Sequence, residues 1–134
     1  MSNPAGRTGW TPDDLRRLGD AEELLISSRR RDGSLRPFVT IWVVRTGESL
    51  YVRSAHGADN PWYARALRSG TGRIRAGGLE RDVAFEDAGS PDHTDHASID
   101  TAYHRKYDRY GPRIVGPVVG AHAAACTIRL LPQT

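Results

Sequence analysis

The chain has 134 residues, of which 38% are hydrophobic and 26% charged. This length fits one ordinary domain, residues 1–134, and the composition supports a modest core and excludes a disordered chain. A net charge of +3, with acidic residues interspersed along the whole chain, argues against nucleic-acid binding, and no apolar run reaches the roughly 18 residues that cross a membrane.

The first predicted element is a helix over residues 11–28, preceded by a flexible start at residues 1–9. Thr11 is a suitable N-cap, and Pro12 suits the first helical turn. Two aspartates follow, where the helix dipole favours negative charge. Apolar residues then recur at spacings of three or four, as on one face of a helix: Leu15, Leu18, Ala21 and Leu25.

A strand hairpin is predicted next. Asp32 and Gly33 form a tight turn, and residues 37–44 are rich in β-branched and aromatic residues, which is typical of a strand. After a turn at residues 46–49, residues 50–54 predict the returning strand, so the two are expected to pair antiparallel. Both faces of the first strand are apolar, and this pattern predicts a central place in the sheet.

The middle of the chain predicts a short helix and a second hairpin. Asn60 is a candidate cap for a helix with Pro61 in its first turn, and the glycine-containing segment of residues 69–72 ends that helix. Apolar and charged residues alternate over residues 73–86, as in strands with one buried face. We therefore expect a second pair of antiparallel strands there.

The last third of the chain predicts a helix and a final strand. A polar loop at residues 88–94 leads into a helix over about residues 96–109, which a Gly-Pro pair ends. Residues 116–124 are interpreted as an apolar loop and residues 127–131 as a strand. The single cysteine, Cys126, cannot form an internal disulfide and fits a reducing, cytoplasmic location. The fold class is α+β.

The order of these elements and several short segments carry a resemblance to a known superfamily. The segments are residues 39–44 (VTIWVV), 50–54 (LYVRS), 62–63 (WY), 72–74 (GRI), 76–78 (AGG) and 103–107. On them the chain resembles the split β-barrel proteins, which include pyridoxamine-phosphate-oxidase-like flavoproteins and deazaflavin-dependent nitroreductases. Within these it is most similar to a bacterial family of unknown function. The resemblance implies a six-stranded antiparallel split β-barrel with flanking helices, and a homodimer with ligand sites between subunits.

The resemblance also implies a site for FMN or a deazaflavin. In flavin-binding relatives, the end of the second hairpin strand and the following helix hold the cofactor phosphate. By position this role falls on Arg53, Ser54 and Arg65, and the ring system lies near Thr40 and Trp42. A serine hydroxyl can donate to phosphate, and arginine can fork onto its oxygens. The alternative interpretation is that the arginines are solvated and that Trp42 belongs to the core.

Two further segments resemble the deazaflavin-using branch. Trp62 and Tyr63 match its tryptophan-centred helix start and are suited to flank a flat ligand, although packing of an amphipathic helix onto the barrel explains them equally well. A basic turn containing Arg30, Arg31 and Arg36 is similar to the turn that meets the anionic tail of the cofactor in that branch. An arginine-rich loop that is simply solvated is the alternative.

Other chemistries find less support. Residues 92–96, with Asp100 and His104, contain good zinc or iron ligands, but their spacing matches no established site and no metal is expected. The catalytic residues are unknown, since nothing distinguishes the titratable side chains of the late helix. The patterns Gly-x-Ser-x-Gly, Gly-x-Gly-x-x-Gly and Walker A are absent, which argues against a serine hydrolase, a dinucleotide fold and a nucleoside triphosphatase.

Two hypotheses about function follow. The first is a flavin- or deazaflavin-binding oxidoreductase-like protein that acts on a small molecule as a homodimer, without nucleic-acid or membrane partners. The second is a cofactor-free small-molecule-binding protein or a non-redox biosynthetic enzyme on the same barrel. The cleft of this second protein would be lined by aromatic residues, namely Trp42, Trp62, Tyr63 and Tyr103.

Overall fold

The computed structural model describes residues 9–92 and 94–133. Residues 1–8 of the predicted flexible start, and His93 of the metal hypothesis, lie outside the described residues. The helices are α1 (Pro12–Asp20), α2 (Pro61–Ser69), α3 (His96–Tyr107), α4 (Pro112–Val115) and α5 (Gly120–Ala124), with 3₁₀ turns at Asp108–Tyr110 and Gly116–Val118. The strands are β1 (Leu24–Ser28), β2 (Val39–Ile41), β3 (Val44–Thr46), β4 (Ser49–Arg53), β5 (Thr71–Ala76), β6 (Leu79–Asp87) and β7 (Thr127–Pro132).

The strands form one antiparallel sheet in the order β2-β1-β5-β6-β7-β4-β3. The strands β2 and β3 stand at opposite ends of this order, yet only Trp42 and Val43 separate them in the chain. The step from Ile41 to Val44 spans at most about 11 Å. The sheet therefore curls until its two edges approach each other, which gives the α+β half-barrel that the resemblance implied.

The predicted first hairpin is only half right. Residues 37–44 form two short strands rather than one. The first, β2, pairs with β1, where Val39 lies opposite Ile26, and only β3 pairs with β4, where Val44 lies opposite Tyr51. Neither strand is central, because each forms an edge of the sheet. The segment is apolar on both faces because it passes from one sheet edge to the other and packs against different neighbours on the way.

The predicted helix over residues 11–28 is wrong beyond α1. Thr11 caps α1 by accepting a hydrogen bond from the Asp14 amide at 3.1 Å, as expected. The helix ends at Asp20, however, and the following apolar run forms β1, which pairs with both β2 and β5. Pairing on two sides outweighs the helical spacing of the leucines, and a short apolar run is ambiguous by periodicity alone. The sheet consequently has seven strands, or six if β2 and β3 count as one interrupted strand.

The rest of the order is close to expectation. The structure confirms α2, the β5–β6 hairpin, α3 and β7. Asp95 caps α3 by accepting a hydrogen bond from the Ser98 amide, whereas Asn60 precedes α2 without a side-chain cap. Residues 116–124, which were expected to be a loop, form a 3₁₀ turn and α5 instead. No helix in the described part of the chain is long and apolar enough to span a membrane.

The buried apolar side chains form two clusters on opposite faces of the sheet. Leu50 and Val52 belong to the larger cluster, which joins α1 and α2 to the strands, and Tyr51 between them belongs to the smaller one. Because side chains alternate along a strand, α3 packs on the face opposite to α1 and α2. Tyr103 and Tyr107 anchor α3 in this smaller cluster and are both fully buried.

Candidate functional site

Six arginines converge on one cleft beside β1, β5 and α2, with a volume of about 620 Å³. We call it the arginine cleft. The chain after β1 supplies four of the arginines, and α2 supplies the other two. The lining residues are Arg29, Arg30, Arg31, Gly33, Arg36, Arg65, Arg68, Ser69 and Thr71.

The turn that follows β1 is folded back on itself by short-range hydrogen bonds. The Arg30 amide donates to the Ser34 carbonyl at 2.8 Å, and Gly33, at φ 87°, donates its amide to the Arg30 carbonyl at 2.9 Å. The Asp32 carboxylate accepts from both the amide and the hydroxyl of Ser34. These bonds lower the pKa of Asp32 and hold the one acidic group of the turn on its own loop.

The opposite wall of the cleft is one face of α2. Arg65 and Arg68 are three residues apart, so both side chains lie on the same side of the helix. The other side carries Tyr63 and Ala66, which are buried in the larger cluster. Amphipathic packing of α2 onto the barrel thus presents two guanidinium groups to the cleft.

Charge within the cleft is unbalanced. Arg29 pairs with Asp82 at 3.1 Å, but among the described residues no acidic side chain forms an ion pair with the five other arginines of the cleft. Burial, followed by repulsion from Arg65, Arg30 and Arg68, lowers the pKa of Arg36. Like charges held this close repel one another, and a bound anion relieves the repulsion. The arrangement is therefore suited to a phosphate or carboxylate ligand.

An apolar surface adjoins the arginine cleft. Arg36 and Arg65 also line a smaller depression of about 20 Å³, together with Val39 and Trp62. The Trp62 ring is half-buried and stands edge-on to Tyr63, with ring centroids 6.0 Å apart. Val39 keeps 39% of its surface exposed and adds apolar surface beside Trp62. The depression has room for little more than one water molecule, so a flat apolar group would lie over Trp62 and Val39 rather than inside it.

Arg53 and Ser54, the predicted phosphate ligands at the end of β4, lie outside the arginine cleft. Arg53 is 3% exposed, and its guanidinium donates to the Thr127 hydroxyl at 3.0 Å and to Asp100 at 2.5 Å. The same group also contacts the Val118 carbonyl and His96. The hydroxyl of Ser54 donates to the backbone within its own loop. These two side chains are engaged by the protein itself and do not line the arginine cleft.

The other predicted residues divide between locations. Arg65 lines the arginine cleft and Trp62 lines the depression beside it, whereas Trp42 belongs to the α3 face of the sheet. Thr40 is exposed on β2 and lines a different cleft, of about 530 Å³. Tyr63 is buried, and burial raises its pKa to about 12. Arg68 was not among the predicted residues, although its three-residue spacing from Arg65 on a predicted helix could have identified it.

Three residues of the metal hypothesis, His96, Asp100 and His104, contact other side chains of the protein. His96 and Asp100 both contact Arg53, and His104 contacts Asp108 at 2.7 Å. Across residues 9–92 and 94–133, no group of three or more histidine, cysteine, aspartate or glutamate side chains is arranged to hold a metal ion.

The chain belongs to a family described as an uncharacterized protein conserved in bacteria (DUF2255), whose model matches residues 14–130. This match covers most of the chain and agrees with the bacterial family that the sequence resembled. No curated protein matches the sequence.

Solved structures share the fold at low sequence identity. Conserved hypothetical protein Rv2991 from Mycobacterium tuberculosis has a TM-score of 0.63 at 8% identity, covering 100% of this chain and 87% of that one. An F420 reductase has a TM-score of 0.54 at 14% identity, covering 98% and 97%. An FAD-binding protein from Mesorhizobium loti has a TM-score of 0.53 at 17% identity, covering 93% and 91%. These similarities establish the split-barrel fold.

Proposed function

We propose that this member of the family binds a flavin or deazaflavin cofactor, with the anionic tail of the cofactor in the arginine cleft, and acts as an oxidoreductase on a small molecule. The observation that carries the proposal is the group of five cleft arginines without an acidic partner among the described residues. The structural similarity to an F420 reductase and to an FAD-binding protein supports it as well.

The residues of the cleft fit the chemistry of such a cofactor. Guanidinium groups bind phosphate and carboxylate through paired hydrogen bonds, and Arg36, Arg65 and Arg68 surround one cavity. Its volume of about 620 Å³ lies within the usual range for ligand sites. Trp62 offers an aromatic face beside it, where a flat ring system can pack.

The cofactor and the chain contribute different parts of this activity. The cofactor, when bound, supplies hydride transfer, and the chain supplies binding and orientation. Of the residues predicted from sequence, Trp62, Arg65 and the basic-turn arginines (Arg30, Arg31 and Arg36) enter the proposed site. Arg68 takes the anion-binding role that was expected of Arg53. A homodimer remains part of the proposal, because it would cover the open side of the cleft with a second subunit.

Binding of the cofactor is measured by fluorescence titration with FMN, riboflavin and F420. We expect FMN or F420 to bind, and riboflavin, which lacks an anionic tail, to bind at least about tenfold more weakly than FMN. No binding below about millimolar concentration of any of the three would refute the proposal and favour the cofactor-free alternative. Size-exclusion chromatography with light scattering measures the oligomeric state on the same samples.

Charge variants locate the site. Arg65→Gln and Arg68→Gln are each expected to weaken binding about tenfold, since each removes a charge-assisted contact to the tail. Arg113→Gln is the matched control, because Arg113 is exposed on α4 and does not line the cleft. Equal affinity in all three variants would place the cofactor elsewhere.

A further inference from the structure

A second cleft, of about 880 Å³, lies between the end of α1, the β3–β4 turn and α3. It shares no lining residue with the arginine cleft. The side chains that matter here are those of Asp20, Arg45, Arg105 and Lys106. We call it the lysine cleft, because Lys106 is the only lysine among the 19 basic residues of the chain.

Lys106 is held at the cleft by two contacts and, within residues 9–92 and 94–133, has no carboxylate in an ion pair with it. Its Nζ donates to the Val43 carbonyl at 2.6 Å and lies 5.1 Å from the centre of the Tyr107 ring. The side chain is half-buried, and no carboxylate of the described residues forms an ion pair with it. The Val43 carbonyl and the Tyr107 ring favour the charged amine, whereas partial burial without a counter-ion favours the neutral amine.

The acid–base balance of the amine follows from this environment. Burial lowers the pKa of Lys106 to about 8, and repulsion from Arg109 acts in the same direction, while Glu22 and Asp20 oppose the shift to a smaller extent. Half of the amine is then neutral at about pH 8, against about 0.3% for a lysine with the ordinary value. Only the neutral amine has a free lone pair, so a lowered pKa favours a nucleophilic role for Lys106 near neutral pH.

The charge around the cleft indicates the kind of ligand it would take. Arg45 lies on β3 and donates to the Gly47 carbonyl at 2.8 Å, and Arg105 is exposed on the turn of α3 next to Lys106. Neither forms an ion pair with an acidic side chain in the part of the chain that the structure describes. With Asp20 as the one acidic lining residue, the cleft carries an excess of positive charge that favours anions.

We propose that Lys106 is a carbonyl-reactive amine and that the lysine cleft receives a small anionic aldehyde or 2-oxo acid. The lone pair of Nζ attacks the carbonyl carbon, a C–N bond forms, and the carbonyl oxygen takes up a proton to give a carbinolamine. Loss of this oxygen as water, with one proton from the nitrogen, yields an imine. The arginines hold the carboxylate of the ligand, and no oxidant or reductant takes part.

Reductive trapping tests the proposal on the whole protein. Glyoxylate is added with cyanoborohydride, whose hydride converts the imine into a stable carboxymethyl amine that peptide mass spectrometry locates. The chain offers only Lys106 and the α-amino group as amines, so each adduct is assigned without ambiguity. We expect modification of Lys106 near neutral pH. Modification of the α-amino group alone would overturn the proposal.

A matched lysine elsewhere supplies the reference rate. In the Lys106→Arg, Arg113→Lys double variant, the only lysine stands at an exposed position of α4 outside the cleft. At about pH 7.5 we expect Lys106 of the wild type to react at least about tenfold faster than position 113 of this variant, because a larger fraction of its amine is neutral. Equal rates would show that Lys106 is an ordinary amine. The wild-type peptide map decides between the sites even if the variant fails to fold.

The choice of aldehyde tests the ligand class. Glycolaldehyde is a neutral compound of similar size, and its rate relative to glyoxylate at position 113 measures the intrinsic difference between the two reagents. If Lys106 prefers glyoxylate over glycolaldehyde by more than position 113 does, the result supports an anionic ligand. An equal preference at the two positions would overturn the anionic ligand class. Arg105→Gln should reduce the glyoxylate preference without abolishing trapping, because it removes charge and leaves the amine.

Discussion

Trp42 stacks face to face on Tyr107, with ring centroids 3.9 Å apart and planes within 4° of parallel. This contact fixes the link between β2 and β3 on α3. The hydroxyl of Tyr107 completes it by accepting from the Val43 amide at 3.2 Å and donating to the Glu22 carbonyl at 2.9 Å. One side chain of α3 thus joins the link between β2 and β3 to the segment between α1 and β1.

Removal of the Tyr107 hydroxyl is expected to destabilise the protein. Tyr107→Phe keeps the stack with Trp42 and leaves the Val43 amide without its partner, which costs about 1–3 kcal/mol of unfolding free energy. Urea denaturation measures the loss. Tyr110→Phe is the control, because Tyr110 is 45% exposed and water can replace its hydrogen bonds. Equal effects of the two substitutions would contradict this account of Tyr107.

The buried ion pair of Arg53 predicts a larger effect. Asp100→Ala leaves a guanidinium with no exposed side-chain surface without its counter-ion, and we expect a loss of about 3–5 kcal/mol in urea denaturation. Asp13→Ala removes an exposed partner of Arg16 and should have a much smaller effect. A loss for Asp100→Ala as small as that for Asp13→Ala would show that the buried pair adds nothing to stability.

Charge repulsion in the arginine cleft predicts a variant that is more stable than the wild type. Arg68→Gln removes one of the like charges and should raise the melting temperature of the ligand-free protein at low salt. Added phosphate should stabilise the wild type more than this variant, since the anion relieves the same repulsion. Arg113→Gln serves as the control for a general change in net charge. Identical phosphate responses of both variants and the wild type would contradict the prediction.

The pKa of Lys106 predicts how stability changes with pH. Its folded value of about 8 lies below the ordinary 10.5, so the unfolded chain binds more protons between these values. Stability therefore rises with pH through this window, and the cost of burying the charged amine is fully present below it. Lys106→Met should lose this slope in urea denaturation between about pH 7.5 and 9.5, before tyrosines ionise. Parallel curves of unfolding free energy against pH for the wild type and Lys106→Met would exclude the lowered pKa of Lys106.

A close contact explains the glycine at position 72. A Cβ there would meet the Ser27 carbonyl oxygen at 2.0 Å and the Phe85 ring at 2.8 Å, so β1 would have to move away from β5. We expect Gly72→Ala to cost about 1–3 kcal/mol in thermal or urea denaturation. Gly116→Ala faces open space and should change stability by less than about 0.5 kcal/mol. Similar losses of stability for Gly72→Ala and Gly116→Ala would contradict the close contact at position 72.

Local signals predicted much of this fold, and the errors have one cause. Caps and turn residues located α1, α2 and α3, because these signals act within a few residues. The β1 strand was missed, and residues 37–44 were paired with one strand instead of two, because pairing partners depend on the closed sheet. The same holds for the candidate site. The basic turn, Trp62 and Arg65 were predicted, but the burial of Arg53 by Asp100 depends on α3, which lies far along the chain.

The link of two residues between β2 and β3 has a consequence for self-association. Free edges of β-sheets recruit strands from other molecules, and proteins protect them by keeping them short or covered. Here the two edge strands are only three residues long and are tied to each other, so neither can peel away or add a foreign strand without disturbing the other. The link that closes the sheet makes the fold hard to predict from local signals. The same link protects the sheet edges from pairing with other molecules.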